Sequence, residues 1–234
     1  MERRTELEKN LTRVRARIDA CTAAAGRPTG SVRLLPVTKF HPVDDIRVLR
    51  DLGVREVGEN REQEARAKHA ELPGITFHMI GQIQVKKANA VARWAGAVHS
   101  VDSIRLADAL DRGVRLAVER GDRGVGKLEC FVQLSLDGDD GRGGATGDEI
   151  TDIAEAVAGS GHLALAGLMC VPPLGWDPSA SFARAREVLA RLEERFARQL
   201  EFSAGMSGDM AEAISHGSTI VRVGTDILGP RPLA

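Results

Sequence analysis

Residues 75–100 read ITFHMIGQIQVKKANAVARWAGAVHS, and this stretch decides the fold. Ile75 to Ile80 is an apolar run of strand length, with His78 inside it. Val85 to Trp94 carries the spacing of a helix, and Ala97 to Ser100 reads as a second strand. Strand, helix and strand in so short a span form a βαβ unit, which implies a parallel pair joined by a right-handed crossover.

The same alternation extends in both directions. Upstream, the spacing predicts a strand over Val32 to Val37, a helix over Val43 to Leu52, a short strand at Glu56 to Val57 and a helix over Arg61 to Glu71. Ahead of these, Glu2 to about Ala25 reads as an amphipathic helix, with Leu7, Leu11, Val14 and Ile18 on one face. Gly26 to Ser31, with Pro28 and Gly30, stops it. Downstream come helix Ile104 to Arg120, strand Lys127 to Leu136, helix Asp148 to Ala158 and strand Leu163 to Met169. Helix Ser179 to Gln199, strand Glu201 to Ala204, a short helix Gly208 to Ser215 and strand Thr219 to Val223 complete the run. Gly138 to Gly147 is the most polar, glycine-dense segment, which predicts a mobile loop.

Eight strands separated by helices predict an α/β fold, a single (β/α)8 TIM-like barrel over residues 1–234 with an extra N-terminal helix. No GxGxxG follows the first strand, which weakens an open dinucleotide-binding sheet. Hydrophobic residues make up 43% of the chain and aromatics 3%, with no tyrosine, so the core must be aliphatic. The 32 basic and 33 acidic residues leave a net charge of −1, which argues against a nucleic-acid partner. Cys21, Cys130 and Cys170 are far apart and show no metal-ligand spacing, so reduced thiols and no metal site are expected. The charged start MERRTELEKN does not resemble a signal peptide, and the apolar run near Leu163 to Leu174 contains Pro172 and Pro173. A soluble, cytoplasmic protein with no membrane contact is the expectation.

In such a barrel the functional face is the carboxyl end of the strands. Lys39 closes the first strand in LLPVTKFHP. On this stretch alone it is either a strand-end charge reaching solvent or an enclosed amine whose desolvation favours Schiff-base formation. Gly58, Glu59 and Asn60 close the second strand, where a glycine turn with a helix-start acid and amide is the plain reading. His78 ends the third strand as either a structural donor or a site residue. Ser207 stands where an N-cap would sit, with Asp209 in the first turn, and Gly224 and Thr225 end the last strand. Turns of this kind present backbone N–H groups and hydroxyls to an anion, so the residues point to a ligand bearing phosphate.

Six stretches carry a resemblance: PVTKFHP (36–42), VGENREQEA (57–65), FHMIGQIQ (77–84), VHSVDS (98–103), GLMCVPP (167–173) and FSAGMSGDMAEAISHGSTIVRVGTDILG (202–229). Together and in this order they resemble the pyridoxal phosphate homeostasis proteins, over nearly the whole chain. The resemblance implies a barrel similar to the N-terminal domain of alanine racemase, with pyridoxal 5′-phosphate (PLP) held as a Schiff base on Lys39. It implies Ser207, Gly224 and Thr225 at the phosphate, Arg222 facing the pyridine nitrogen, and Asn60 and His78 lining the ring. Its departures from the family pattern are Thr38 before the lysine, Lys86 where asparagine is frequent, and Asp226 after Gly-Thr. A carboxylate at Asp226 would weaken phosphate binding unless it is paired or points away.

An arginine at the ring nitrogen disfavours its protonation and weakens the electron sink. Racemases of this arrangement add a tyrosine as second base, and this chain has none. The resemblance therefore implies a protein that buffers PLP or delivers it to PLP-dependent apoenzymes, with no catalytic residues of its own, and a monomer is the default expectation because no exposed apolar stripe is obvious. A racemase-like PLP enzyme is the alternative, and a Schiff-base aldolase or phosphate-ligand sensor is a third class.

Overall fold

The computed structural model describes residues 1–147 and 149–230. Asp148, the first residue of the sixth expected helix, and residues 231–234 at the end of the 1–234 span lie outside the described residues. The eight expected strands form: β1 (Arg33–Pro36), β2 (Glu56–Glu59), β3 (Thr76–Met79), β4 (Ala95–Val101), β5 (Leu128–Leu134), β6 (Leu163–Cys170), β7 (Glu201–Ser203) and β8 (Ile220–Val223). All pair in parallel, in the order β1-β8-β7-β6-β5-β4-β3-β2. Closure comes from one isolated bridge, Val37 to Gly58, where the Thr38 amide donates to the Gly58 carbonyl at 3.0 Å. Position 58 is tightly packed: a Cβ there would lie 3.3 Å from the Ile80 side chain and 3.4 Å from that of Leu35, so either would have to give by a few tenths of an ångström.

The outer layer holds α2 (Val43–Asp51), α3 (Glu62–Glu71), α4 (Ala88–Val91), α5 (Ile104–Glu119), α6 (Glu149–Gly159), α7 (Pro178–Phe196), α8 (Met210–Ser215) and α9 (Thr225–Leu228). An aliphatic layer, including Val57, Val98, Leu128, Leu168 and Val221, fills the space between sheet and helices, as the low aromatic content requires. Inside the barrel a smaller cluster of Leu35, Ala97, Phe131, Met169 and Ile220 plugs the lumen. No helix among the described residues is long and apolar enough to cross a membrane.

Two expectations change. The single helix over Val85 to Trp94 splits into a 3-10 turn, Val85–Lys87, followed by the one-turn α4. α9 has no counterpart in the expected elements, because four residues are too few to show a helical period. The glycine-dense segment 138–147 is a loop as expected, with contacts to the barrel that its composition does not announce. Ala145 bridges Leu134, and Arg142 donates to the Val171 and Pro172 carbonyls at 3.1 and 2.9 Å and pairs with Asp137.

The N-terminal helix α1 (Glu2–Ala24) buries Leu7, Leu11, Val14 and Ile18, the face its periodicity predicts. It packs on α2, α8 and α9. A helix leaves its last carbonyls without partners, and in α9 these are met from α1. Arg3 donates to Leu228 O at 2.9 Å, Asn10 to Ile227 O at 3.0 Å and Arg13 to Asp226 O at 3.0 Å. Arg3→Ala combined with Asn10→Ala strands two of these carbonyls and is expected to lower the unfolding free energy by roughly 1–3 kcal/mol, read from the denaturant midpoint. Arg4→Ala, which loses only an exposed 3.9 Å contact with Asp51, is expected to cost less than about 0.5 kcal/mol.

Candidate functional site

Four adjacent strand ends bring the expected residues to one face. β7 is followed by Ser207, β8 by Gly224 and Thr225, β1 by Thr38 and Lys39, and β2 by Asn60. The pairing of Pro36 with Val223 sets the β8 end against the β1 end. Gly224 packs on the chain leading to Lys39, and a Cβ there would meet the Val37 carbonyl oxygen at 3.2 Å. Lys39 is half-buried, and its amine has no hydrogen bond or ion pair among the described residues.

The turn carrying Ser207 is built differently from its sequence reading. Gly205 has φ +91°, and a Cβ there would lie 2.6 Å from that of Ala213, so only glycine fits. Asp209, not Ser207, is the N-cap of α8, and its Oδ1 accepts from the Met206 amide at 2.6 Å. Aspartate fills this position because its carboxylate reaches back over the turn. That leaves the half-buried Ser207 ahead of the helix start, with a hydroxyl that bonds to no described residue. Asp226, the departure that threatened an anion site, turns outward and pairs with Arg17 of α1 at 3.4 Å. Lys86 is exposed on the 3-10 turn that follows β3.

Arg222 lies inside the barrel on β8, 4% exposed. It donates to Ser203 Oγ at 2.7 Å and to the Cys170 carbonyl at 3.0 Å. From Ser203 a buried thread continues to His99 Nδ1 at 2.8 Å, then from His99 Nε2 to His78 Nδ1 at 3.0 Å. His78 Nε2 faces Glu56 at 3.9 Å, and Arg33 joins Glu56 to Glu201 at the opposite mouth. A guanidinium can only donate and a carboxylate can only accept. The donors and acceptors of the thread match if the hydroxyl of Ser203 donates to His99 Nδ1 and His99 Nε2–H to His78 Nδ1, which leaves His78 Nε2–H facing the more distant Glu56 carboxylate. His78 therefore belongs to the barrel interior and meets the strand-end residues only through this thread. Phe131 stacks on His99 with ring centroids 4.2 Å apart.

Burial sets the charge states. It pulls the Arg222 guanidinium down to about 10, which still leaves a cation at neutral pH. Burial pushes the Cys170 thiol up to about 12 and raises that of Cys130 further, so both stay protonated.

Several residues here were not singled out from the sequence. Glu59, read as a helix-start acid, is the last residue of β2 and is fully buried. Its Oε1 accepts from the Thr38 hydroxyl at 2.6 Å and from the Lys68 amine at 2.8 Å. Glu64 and Lys68 stand four apart on α3, a spacing that signals an ion pair but not its burial. His99 and Ser203 sit inside the quoted stretches VHSVDS and FSAGMSGDM, where neither differs from an ordinary strand residue. Asn60 opens onto a neighbouring cavity of about 340 Å³ lined by Gln82, Gln133, Ser135, Arg142 and Met169.

The two buried imidazoles make stability depend on pH. Burial, aided by Arg33, pulls His78 from 6.5 to about 4, and burial pulls His99 well below its ordinary value. Both are neutral when folded and take up protons on unfolding, so their contribution is complete above pH 6.5 and fades as the pH falls toward 4. Each imidazole is expected to add about 1.4 kcal/mol per pH unit to the slope of stability in that window. His78→Gln/His99→Gln is expected to flatten the curve of denaturant midpoint against pH, and equal slopes in both proteins would contradict the burial of the pair.

The alanine racemase, N-terminal domain family matches residues 9–232. The pyridoxal phosphate homeostasis protein of Corynebacterium glutamicum is 65% identical over 221 residues, spanning 94% of this chain and 100% of its own. The structure of PipY from Synechococcus elongatus with PLP bound superposes with a TM-score of 0.80 at 33% identity, over 95% of this chain and 100% of that one. An alanine racemase from Corynebacterium glutamicum shares the fold with a TM-score of 0.69 at 16% identity, covering 98% of this chain and 62% of the racemase. The chain belongs to the alanine racemase N-terminal domain family, within the branch of the pyridoxal phosphate homeostasis proteins.

Proposed function

We propose that this protein binds pyridoxal 5′-phosphate as a Schiff base on Lys39 and serves its homeostasis, buffering the cofactor or handing it to apoenzymes. The observation that carries the reading is the unpaired Lys39 amine beside the Gly224–Thr225 turn, on the strand ends of a barrel whose relative PipY is described with PLP bound. PLP supplies an aldehyde for a lysine amine and, when its pyridine nitrogen is protonated, an electron sink.

The residues present fit such a ligand. Ser207 offers a free hydroxyl, and the Gly224 and Thr225 turn offers backbone N–H groups and a second hydroxyl for the phosphate. With Asp226 paired to Arg17, its carboxylate is drawn toward α1. Two of the five N–H donors of Arg222 serve Ser203 and Cys170, which leaves donors for an acceptor-only ring nitrogen. A cation there holds the nitrogen unprotonated. Asn60 stands on the far side of Lys39 from the phosphate turns, and His78 acts through His99 and Ser203 to orient Arg222.

Catalysis is the minor reading. No tyrosine is available as a second base opposite Lys39, in this chain or in any copy of it. We also propose that the protein works as a single 1–234 barrel, in the cytoplasm and as a monomer. All three thiols are free. Among the exposed large apolar side chains, Ile104 starts α5, Val125 precedes β5, Leu174 and Trp176 share the β6–α7 connection, and Met206 lies between β7 and α8.

Borohydride reduction of the PLP-loaded protein is expected to leave a pyridoxyl mass on the Lys39 peptide alone, and a mass on another lysine, or on none, would overturn the assignment. Incubated with single-enantiomer amino acids, the loaded protein is expected to turn over far below the ordinary enzyme range of roughly 1–10³ per second. Turnover within that range would make it an enzyme.

A further inference from the structure

Lys68 stands in the last turn of α3, the helix after β2, and is only 7% exposed. Its amine donates to the Thr38 carbonyl at 2.9 Å, to Glu59 Oε1 at 2.8 Å and to Glu64 Oε1 at 2.7 Å, which uses all three of its protons. Each acceptor leads to the residues on either side of Lys39. Thr38 is held by its carbonyl and, through Glu59, by its hydroxyl at 2.6 Å. Phe40 is held through Glu64, whose Oε1 accepts the Phe40 amide at 2.6 Å.

The backbone between these holds is strained. Phe40 has φ +68°, one of two non-glycine residues among those described with positive φ. A bulky side chain in that region costs on the order of 1–3 kcal/mol and persists only where its surroundings impose it. Here they are the Glu64 carboxylate on the amide, the Arg61 guanidinium 5.0 Å from the ring centroid, and the 3.1 Å bond from the His41 amide back to Thr38 O. The chain could relax this turn by placing glycine at 40, and it does not.

A buried lysine shared by two carboxylates is a poor source of net stability, because desolvation offsets most of its Coulomb gain. Glu59 shows that cost directly. Burial pushes its carboxyl up, and its Oε2 is buried with no partner among the described residues. Such an assembly is better suited to fixing a geometry, and the geometry it fixes is the peptide on both sides of Lys39.

We propose that Lys68 is a positioning residue for Lys39: with Glu59 and Glu64 it clamps the strained 38–40 turn so that the Lys39 amine is presented to an aldehyde. Lys68 itself donates all three of its protons to acceptors and so offers no lone pair. The inference rests on the reading of Lys39 as the Schiff-base lysine.

The test compares wild type with Lys68→Met and Lys68→Arg by three measurements. One is the rate at which visible absorbance appears on mixing with PLP. The second is the affinity for pyridoxine 5′-phosphate, which carries an alcohol in place of the aldehyde. The third is hydrogen exchange at the Phe40 amide in the protein without ligand. Lys68→Met is expected to slow Schiff-base formation at least about tenfold, the scale of a small misplacement of a reacting group. Affinity for pyridoxine 5′-phosphate should stay within about threefold, under 1 kcal/mol, the Phe40 amide should lose protection, and Lys68→Arg should recover part of the rate. Rate and affinity falling together, or neither changing, would overturn the positioning role. If Lys68→Met fails to fold, Glu64→Gln keeps the volume, and the same split between rate and affinity is required of it. Unchanged Phe40 protection in the folded variant overturns the clamp whichever lysine is labelled, whereas a wild-type label on another lysine overturns the Lys39 reading instead.

Discussion

Between β1 and β2 the barrel is held by the bridge of Val37 to Gly58 and the 3.0 Å bond from the Thr38 amide. Every other neighbouring pair shares a ladder or leads into one, whereas here two short strands meet at their carboxyl ends. A seam that opened would separate Thr38 from Glu59 and Lys39 from Asn60, and would unplug the lumen beside Leu35. The side-chain bonds that span it, from Thr38 and Lys68 to Glu59, therefore reinforce the wall at the point where the backbone contributes least. Lys39 stands at that point, so the integrity of the fold and the placement of its amine depend on the same few atoms.

The lumen divides into two kinds of material. Leu35, Ala97, Phe131, Met169 and Ile220 are packed as any aliphatic plug. Beside them runs the thread from Arg222 through Ser203 and His99 to His78. A buried polar network is worth keeping only when each member is satisfied, and this one is completed by charges at its two ends. Arg222 supplies the donor near the strand ends, and Glu56, anchored by Arg33, supplies the acceptor at the other mouth. The imidazoles between them are neutral couplers, which lets a cation sit deep in the barrel without a carboxylate beside it.

The alternation of strand and helix made the barrel legible, because periods of two and 3.6 residues are written locally. Lys39, Asn60, Gly224 and Thr225 were legible for a related reason: each ends a strand, and strand ends share one face. What could not be read depends on partners distant in the chain. His78 gave no sign that its bonds run to His99 and on to Ser203. Glu59 looked like a helix-start acid until β2 proved two residues longer than its apolar content showed. Asp226 was a threat to anion binding when viewed only beside Gly224 and Thr225, and its partner Arg17 lies far earlier in the sequence. α9 escaped because its short length hides any period, and its carbonyls are satisfied from α1.

That last arrangement bears on how the chain matures. α1 and β1 are synthesised first, yet the surface that covers Leu7, Leu11, Val14 and Ile18, and the strand that flanks β1 on its open side, come from α8, α9 and β8. Until residues 220–228 have left the ribosome, the first helix has an uncovered apolar face and Lys39 has no Gly224–Thr225 turn beside it. Domains tend to fold as units as they emerge, and here the unit cannot close before its final strand arrives. Cofactor capture is accordingly a late event in the life of the polypeptide, coupled to the joining of its beginning and its end.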